Sequence, residues 1–316
     1  MISVIIPTYN TALLIERTIR SVLAQSCQDF EILIIDDCST DNTLEVVKTI
    51  KDERIRILEQ PENRGPAAAR NRGLAEAKGE YCAFLDGDDY WEPDFLKETS
   101  GFLDAHPEAV AVSVMQCHKI IGKDPVTAPR DIGVTEPVVL EDFFDFWAKN
   151  NHVCTGSVLM RTVVAQRLGG QREDLRICED LEFWALLATQ GKWGFIPKVL
   201  FTSDGGTVTK KQGWMKKNMR RWQSAPPVED WAKRIVAGFH GNVPDFFPAA
   251  LGRIARNLCY SHIMAGKSIL ARQEVLKYGQ DFPKNRLNTI FQFMAKNCLL
   301  WAVFCCSLKI WEFTRS

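Results

Sequence analysis

The stretch CAFLDGDDYWEPD, residues 82–94, places three carboxylates, Asp86, Asp88 and Asp89, directly behind an apolar run. Their charges repel one another, so the cluster is costly unless a cation neutralises it, and a divalent metal is the usual one. An Asp/Gly turn that caps the following helix is the alternative explanation of this stretch taken alone. The surrounding sequence has to separate the two explanations.

Strand and helix patterns alternate through the first two hundred residues and are clearest in the first ninety. The β-rich runs are SVIIP (3–7), FEILIIDD (30–37), RIRILEQ (54–60) and EYCAFLDGDD (80–89). The stretches between them are ALLIERTIRSVLAQ (12–25), NTLEVVKTIKDE (42–53) and PAAARNRGLAEAKG (66–79), whose apolar residues recur with the period of a helix. This βαβ pattern predicts an α/β fold, with a mostly parallel, Rossmann-like sheet flanked by helices.

Polar loops follow all four predicted strands. In a parallel sheet the carboxyl ends of the strands meet at one edge, where ligands bind. Residues 7–10, 36–37, 63–70 and 86–89 are therefore expected at a single site. The sequence contains neither GxGxxG after the first strand nor GxxxxGK[ST], so the dinucleotide and P-loop phosphate cradles are excluded. A nucleotide site that handles diphosphate through a metal fits better.

Seven motifs in order resemble the family 2 glycosyltransferases of the GT-A fold. They are VIIPTYN, IIDDCSTDNT, ENRGPAAARNRG, FLDGDDYWEPDFL, TGSVLMR, CEDLEFWALL and GGTVT, between residue 2 and about residue 209. The resemblance implies an inverting sugar transfer from a nucleotide diphosphate donor, usually a uridine diphosphate (UDP) sugar, with Mn²⁺ or Mg²⁺. It predicts a catalytic domain over 1–209. The composition of residues 210–316 predicts a basic helical region that binds the acceptor or associates with a membrane.

The resemblance also assigns individual residues. Pro7, Thr8 and Tyr9 would wrap the base, and Asp37 would accept a hydrogen bond from the uracil imide. Asn63 and Arg70, two helical turns apart, would face the base and diphosphate. Asp86-Gly87-Asp88 looks like the DXD motif of the family, with Asp88 as metal ligand, Asp86 on the ribose or a metal-bound water, and Gly87 allowing close backbone approach. Asp89 is predicted to cap the next helix.

The family motif CEDLEFWALL supplies the predicted base. The resemblance assigns Asp180 as the group that accepts the acceptor proton and Glu179 as a supporting or acceptor-binding carboxylate. A carboxylate at a helix N-terminus is stabilised in its ionised form, which suits a base. Plain N-terminal capping is the structural alternative. His152, in HVCTGS, is an acceptor-side candidate or a structural histidine.

Two departures from the family pattern concern later residues. Asp204, in SDGGTVTK, stands where many members place a histidine, and it is a further candidate metal ligand. The run KKNMRRW resembles the QxxRW element of processive synthases, which makes Arg221 and Trp222 acceptor-side candidates, although Asn218 replaces the glutamine. A basic helix face explains the same run equally well.

Charge is distributed unevenly although the net charge is zero. Residues 1–204 carry 21 Lys and Arg against 33 Asp and Glu, whereas residues 205–316 carry 18 against 6. The basic tail contains the apolar run CLLWAVFCCSL (298–308), which is too short to cross a bilayer. This run is either a buried core helix or an anchor at the membrane interface. An anchor would set Trp301, Phe304 and Trp311 near the headgroups. No CxxC zinc spacing or signal peptide appears.

We therefore predict a cytoplasmic enzyme, peripheral on the inner face of the plasma membrane, that uses a glycan or lipid-linked saccharide acceptor and no nucleic acid. Two rival functions remain. A sugar nucleotidyltransferase shares the sheet and the metal carboxylates, but it requires a Gly-rich basic signature after the first strand, where PTYNTALLIERT stands. A nucleotide- or glycan-binding module without turnover is the second rival.

Overall fold

The computed structural model describes residues 1–119, 124–130, 132–204, 214–239, 241 and 243–315. The strands are β1 (Ile2–Thr8), β2 (Phe30–Asp36), β3 (Ile55–Glu59), β4 (Tyr81–Phe84), β5 (Tyr90–Trp91), β6 (Ala109–His118), β7 (Val126–Ala128), β8 (Val138–Val139), β9 (Val158–Arg161) and β10 (Lys192–Ser203). The first helices are α1 (Ile15–Leu23), α2 (Thr43–Thr49), α3 (Pro66–Glu76), α4 (Phe95–Ala105), α5 (Phe143–Lys149), α6 (Thr162–Arg167) and α7 (Glu179–Ala188). The later helices are α8 (Trp214–Gln223), α9 (Val228–Gly238), α10 (Phe247–Met264), α11 (Ser268–Tyr278), α12 (Arg286–Ala295) and α13 (Cys298–Arg315), with a 3₁₀ turn at Gly279–Asp281.

The chain divides into two compact units. Unit 1 comprises Met1–Phe143, Asn150–Glu173 and Glu179–Thr209, and unit 2 comprises Phe144–Lys149, Asp174–Cys178 and Lys210–Ser316. Two short internal segments therefore belong with the helical unit, which a single cut of the sequence does not anticipate. The predicted boundary between residues 209 and 210 lies outside the described residues.

One sheet organises unit 1, in the order β3-β2-β1-β4-β9-β6-β10-β5, with β7 beside β6 and β8 beside β10. The first four strands of that order are parallel, as are β6 and β10, while β9 runs antiparallel between β4 and β6. Every residue of β1 and β2 is buried, because helices cover both faces of a central parallel strand. The predicted α/β class is confirmed, and the sheet is mixed.

Packing of α3 on the sheet fixes one edge of the site. Helix α3 lies against β1 and β2, and its Gly73 contacts them so closely that an added Cβ would come within 2.3 Å of Ile5 Cγ2. In the parallel register, Thr8 pairs with Asp36 and Asp36 with Glu59. The loops after β1, β2 and β3 therefore leave the sheet at one edge, as the βαβ pattern predicts.

Unit 2 is built around α10, whose buried residues include Ile254, Leu258 and Ile263. Helices α8, α9, α11 and α13 pack against it. The buried carboxylate of Glu274 accepts a hydrogen bond from the Val228 backbone N–H at 2.8 Å, which ties α11 to the start of α9. Among the described residues, none of the helices combines the length and the apolar composition needed to cross a membrane.

Candidate active site

The loops that follow β1 and β2 are hydrogen-bonded to each other. Asn10 has a positive φ of 54°, and its side-chain oxygen accepts from the Thr40 backbone N–H at 2.8 Å. The Thr11 N–H donates to the Thr43 hydroxyl at 2.9 Å. Pro7 and Thr8 are buried at the end of β1, whereas the Tyr9 ring is 46% exposed. A fixed loop thus presents one exposed aromatic face, which suits stacking on a base.

Asp37 is buried in a cluster of donors. Its Oδ1 accepts from Gln60 Nε2 at 2.7 Å and from the Arg64 N–H at 2.8 Å, and its Oδ2 accepts from the Gly65 N–H at 2.7 Å. The Asn63 side-chain amide donates to the Asp37 carbonyl at 3.0 Å. The carboxylate therefore shapes the loop before α3. Oδ2 can accept a second bond, so the assignment of Asp37 to the uracil stays a prediction.

Arg70 on α3 is the central cation of the site. It is buried, and its Nη2 donates to Asp86 Oδ1 at 2.7 Å while Nη1 donates to Gln171 Oε1 at 3.1 Å. Burial alone would lower the pKa of the guanidinium, but the charge and hydrogen bond of Asp86 raise it, and Glu179 and Asp180 act in the same direction. One guanidinium thus interacts with Asp86, which is predicted to bind the sugar donor, and with the predicted base Asp180 and its neighbour Glu179. Nothing in the sequence around Gln171 indicates its role.

The loop from residue 86 to residue 89 packs tightly on the loop after β1. A Cβ on Gly87 would lie 3.1 Å from Thr8 Oγ1 and 3.2 Å from Ile15 Cδ1, so glycine permits this approach. Asp89 is buried, and its Oδ1 accepts from the Asp204 N–H at 2.8 Å. The prediction that Asp89 caps α4 is wrong, because Asp94 stands at the N-cap position. Asp89 instead fastens the loop to the end of β10.

Arg17 is a site residue that sequence reasoning missed. Its guanidinium forms an ion pair with Asp204 and donates from Nη2 to the Asp88 carbonyl at 2.6 Å. It also lies 4.7 Å above the Tyr90 ring centre, and Lys119 Nζ is 3.8 Å from the same Asp204 carboxylate. In the sequence Arg17 is one polar residue of an amphipathic helix. The structure gives Asp204 two basic neighbours, so its role as a metal ligand stays a prediction.

The acidic loop suits a divalent cation. Burial, together with the nearby charges of Asp86 and Asp88, raises the pKa of Asp89 to about 8. Oxygen donors of this kind are those that Mg²⁺ and Mn²⁺ prefer. Within the described part of the chain, no three His, Cys, Asp or Glu side chains form a complete cage. Sites with one or two carboxylates commonly complete their shell with substrate phosphates.

Helix α7 begins at the predicted base. Asp180 Oδ1 accepts from the Leu181 backbone N–H at 2.8 Å, and Glu179 is buried at the same helix N-terminus. Both carboxylates lie where the helix dipole favours the ionised form. The charge of Asp180 also raises the pKa of Arg70. A residue that only capped a helix would not need to interact with the buried cation of the site.

The loop 152–157 contributes a side chain that was not singled out. Burial raises the pKa of the Cys154 thiol, and the charges of the site carboxylates Asp89, Asp180 and Asp86 raise it as well. His152 is fully buried, with its Nδ1 2.9 Å from the Ser113 hydroxyl and its ring against Phe143 and Trp193. The structure thus favours the structural alternative for His152 over an acceptor-side role.

Arg221 and Trp222 lie on α8 in unit 2. Arg221 is exposed, and its Nε donates to the Arg176 carbonyl at 3.1 Å. Trp222 is buried, with its ring edge against Tyr260. Burial leaves little of the Trp222 ring for a sugar, so the resemblance to QxxRW gains no support from it. The motif GGTVT lies outside the described residues.

Comparison with known proteins gives consistent matches. The model of glycosyl transferase family 2 matches residues 3–168. The putative teichuronic acid biosynthesis glycosyltransferase TuaG of Bacillus subtilis is 34% identical over 194 residues, which are 60% of this chain and 73% of TuaG. The UDP-Glc:α-D-GlcNAc-diphosphoundecaprenol β-1,3-glucosyltransferase WfaP of Escherichia coli is 46% identical over 91 residues, 29% of this chain and 36% of WfaP.

A solved structure supports the fold. Residues 1–349 of TarS from S. aureus, crystallised with UDP-GlcNAc, superpose with a TM-score of 0.65 at 19% identity, covering 93% of this chain and 87% of that one. At such low identity the superposition shows the fold alone, and it confirms the predicted GT-A architecture.

Proposed function

Because the chain belongs to glycosyl transferase family 2, we propose that it transfers a sugar from a UDP-sugar to a hydroxyl of a glycan or lipid-linked saccharide, with inversion at the anomeric carbon. TarS was crystallised with UDP-GlcNAc, and the name of WfaP gives a UDP-sugar donor and a diphosphoundecaprenol-linked acceptor. These relatives support the donor and acceptor classes. Membership in the family makes this protein a glycosyltransferase.

The observation that carries the proposal is the convergence on Arg70. Its guanidinium donates to Asp86 at 2.7 Å, and it also interacts electrostatically with Glu179 and Asp180. A displacement reaction requires the leaving-group side and the base side within one small space. A buried cation that is hydrogen-bonded to Asp86 and attracted by Glu179 and Asp180 lowers the mutual repulsion of these carboxylates.

The chemistry needs one proton transfer. The acceptor oxygen attacks the anomeric carbon, the bond from that carbon to the diphosphate oxygen breaks, and the acceptor proton passes to Asp180. Asp180 lies at the N-terminus of α7, where the helix dipole favours an ionised carboxylate, which suits a proton acceptor. Glu179, buried beside it, would hold the acceptor or support the base.

Asp88, with Asp86, would hold Mn²⁺ or Mg²⁺, which supplies Lewis-acid neutralisation of the leaving diphosphate. The chain's own contribution is to position these carboxylates. Arg70 fixes Asp86, and Arg17 fixes the Asp88 backbone carbonyl. Gly87 allows the loop 86–89 to pack against Thr8. The loop that would bind the metal and the loop that would bind the uracil therefore form one surface.

Tyr9, Asp37 and Asn63 would bind the uracil base. The Tyr9 ring is exposed for stacking, and Asp37 Oδ2 can accept the imide N–H. We also propose a cytoplasmic location at the inner face of the plasma membrane, where a lipid-linked acceptor is met. All ten cysteines are free, as a reducing compartment requires.

The test combines binding and turnover. Thermal-shift measurements with nucleoside diphosphates and their sugars, with Mn²⁺, Mg²⁺ or EDTA, should show metal-dependent stabilisation by UDP. Asp88→Asn should lose that stabilisation, whereas Asp180→Asn should keep it and lose at least about 100-fold in sugar transfer, the size of a general-base contribution. Glu16→Gln, on the exposed face of α1, is the control for both.

Two outcomes would contradict the proposal. Retained turnover in Asp180→Asn would remove the base assignment. The unaltered protein could also bind nucleotide or glycan and transfer no sugar to any glycan or lipid-linked acceptor. That result would favour the binding module without turnover.

A further inference from the structure

Exposed apolar side chains concentrate in the last three helices. Of the nineteen large hydrophobic residues that are exposed in the described chain, ten lie between residues 269 and 311. They are Ile269, Leu276, Leu287, Ile290, Phe293, Leu299, Leu300, Val303, Ile310 and Trp311. Single exposed hydrophobic residues are ordinary on a protein surface, but such a concentration marks an interaction site.

The packed faces of α12 and α13 are separate from these residues. The Phe291 ring of α12 makes edge-on contacts with the rings of Trp301 and Phe304 of α13, and Cys305 of the same helix is buried. Trp301 Nε1 donates to the Ser268 carbonyl at 2.8 Å. The anchor alternative sets Trp301 near lipid headgroups, but Trp301 is a core residue, and Phe304 is half-buried against Phe291. Packing within unit 2 is thus satisfied by one face of each helix.

The opposite faces are apolar at helical spacing. On α12 the exposed residues are Leu287, Ile290 and Phe293, and on α13 they include Leu299, Val303 and Ile310. Spacings of three, four and seven place each set on one side of its helix. We call these two sets the outer faces of α12 and α13. A helix that is apolar on its packed face and on its outer face has surface to bury elsewhere.

The charges beside the outer faces have one sign. Lys284, Arg286 and Lys296 are exposed at the two ends of α12. Over residues 282–311 the sequence contains no Asp or Glu. Apolar faces bordered by cations match a lipid surface with anionic headgroups, which attracts Lys and Arg while the acyl region takes up the apolar side chains.

The length and composition of the helices decide the orientation. Helix α13 has 18 residues, and none of the described helices meets the requirement for a membrane span. An amphipathic helix that cannot cross lies in the plane of the interface, with its apolar face at the headgroup boundary.

We propose that the outer faces of α12 and α13 dock onto an anionic lipid bilayer, with both helices in the plane of its surface. The surface belongs to unit 2 and is independent of the sugar-transfer chemistry. It would bring a lipid-linked acceptor to the protein by holding the protein at the membrane.

The test is sedimentation of the full chain with vesicles, in the absence of any nucleotide. Phosphatidylcholine vesicles containing 30 mol% phosphatidylglycerol are compared with pure phosphatidylcholine, each at 50 and 500 mM NaCl. We expect binding to the anionic vesicles and at least tenfold weaker binding at high salt. Leu299→Glu/Val303→Glu should lower the affinity at least tenfold, and Lys284→Glu/Lys296→Glu should remove the preference for anionic lipid.

Val163→Glu is the matched control, since Val163 is 59% exposed on α6 of unit 1. It should bind vesicles like the unaltered protein. Circular dichroism and UDP-induced stabilisation verify folding of every variant, and they keep this test distinct from that of sugar transfer. Equal vesicle binding by the Leu299/Val303 variant and the unaltered protein would overturn the proposal. A second outcome would also overturn it: the unaltered protein forms a concentration-dependent dimer, binds no vesicles, and becomes monomeric with the same substitutions. A second copy of the chain would then cover the outer faces.

Discussion

Replacing Arg17 by methionine should destabilise the protein and weaken donor binding. Asp204 is buried, and the substitution removes its closest cation while Lys119 remains at 3.8 Å. Breaking a fully buried pair costs about 3 to 5 kcal/mol. Because the Arg17 side chain is 37% exposed and Lys119 offsets part of the charge, we expect a loss of about 2 to 3 kcal/mol in the free energy of unfolding.

The assay is a double-mutant cycle of Arg17→Met and Asp204→Asn, measured by urea unfolding. Removing the second partner after the first should cost little, so the two effects should fall short of additivity by about 1 to 2 kcal/mol. Arg20→Met is the matched control on the same helix. Its pair with Glu16 is largely exposed, so its loss should cost under about 1 kcal/mol.

Donor binding distinguishes two roles of Asp204. Arg17 also holds the Asp88 carbonyl, so Arg17→Met should weaken metal-dependent UDP binding by about tenfold, the equivalent of one charge-assisted hydrogen bond. If Asp204 acts through Arg17, Asp204→Asn should add little in the Arg17→Met background. Full additivity in stability would refute the ion-pair reasoning. Loss of metal dependence in Asp204→Asn alone would instead establish Asp204 as a metal ligand.

Two further predictions concern packing and pH. Gly73→Ala should lower the free energy of unfolding by about 1 to 3 kcal/mol, because its Cβ would overlap Ile5. Gly101→Ala on α4 meets nothing within 4 Å and should raise the free energy of unfolding by up to about 1 kcal/mol. Thermal unfolding of the two variants would contradict the packing argument if both melting temperatures shifted in the same direction. Hydrogen bonds from Arg54 lower the pKa of Asp52 to about 2, so its contribution is complete above the unfolded pKa near 3.8 and is lost as pH falls toward 2. Asp52→Asn should therefore cost up to about 1 kcal/mol at pH 7 and less at pH 3 in urea titrations, and a cost that does not change with pH would argue against this pair.

Local pattern predicted the first ninety residues well. The predicted runs 3–7, 30–37 and 54–60 coincide with β1, β2 and β3 to within a residue or two at each end. The run 80–89 was too long, because β4 ends at Phe84 and the Asp-rich segment leaves the sheet. Apolar periodicity marks which residues face a core, but it does not show where a polar segment stops pairing with its neighbour strand.

Burial favours one of the alternatives that the sequence leaves open for two residues, and tertiary contacts correct the assignment of a third. His152 and Trp301 were candidates for contact with an acceptor and with lipid, and both lie in the core. Asp89 was assigned to a helix cap, and it binds the backbone of Asp204. The type of a side chain sets what it can do, but the segments that pack over it come from distant parts of the chain.

The sequence by itself determined the order and type of the elements in the first ninety residues, the family, and the edge of the sheet that carries the polar loops, since these depend on local periodicity, ordered motifs and the geometry of parallel strands. Only the tertiary structure decided which charges meet. Arg70 pairs with Asp86 across 16 positions, whereas Arg17 pairs with Asp204 across 187. An ion pair forms where packing brings two side chains together out of water, and no spacing along the chain encodes that distance.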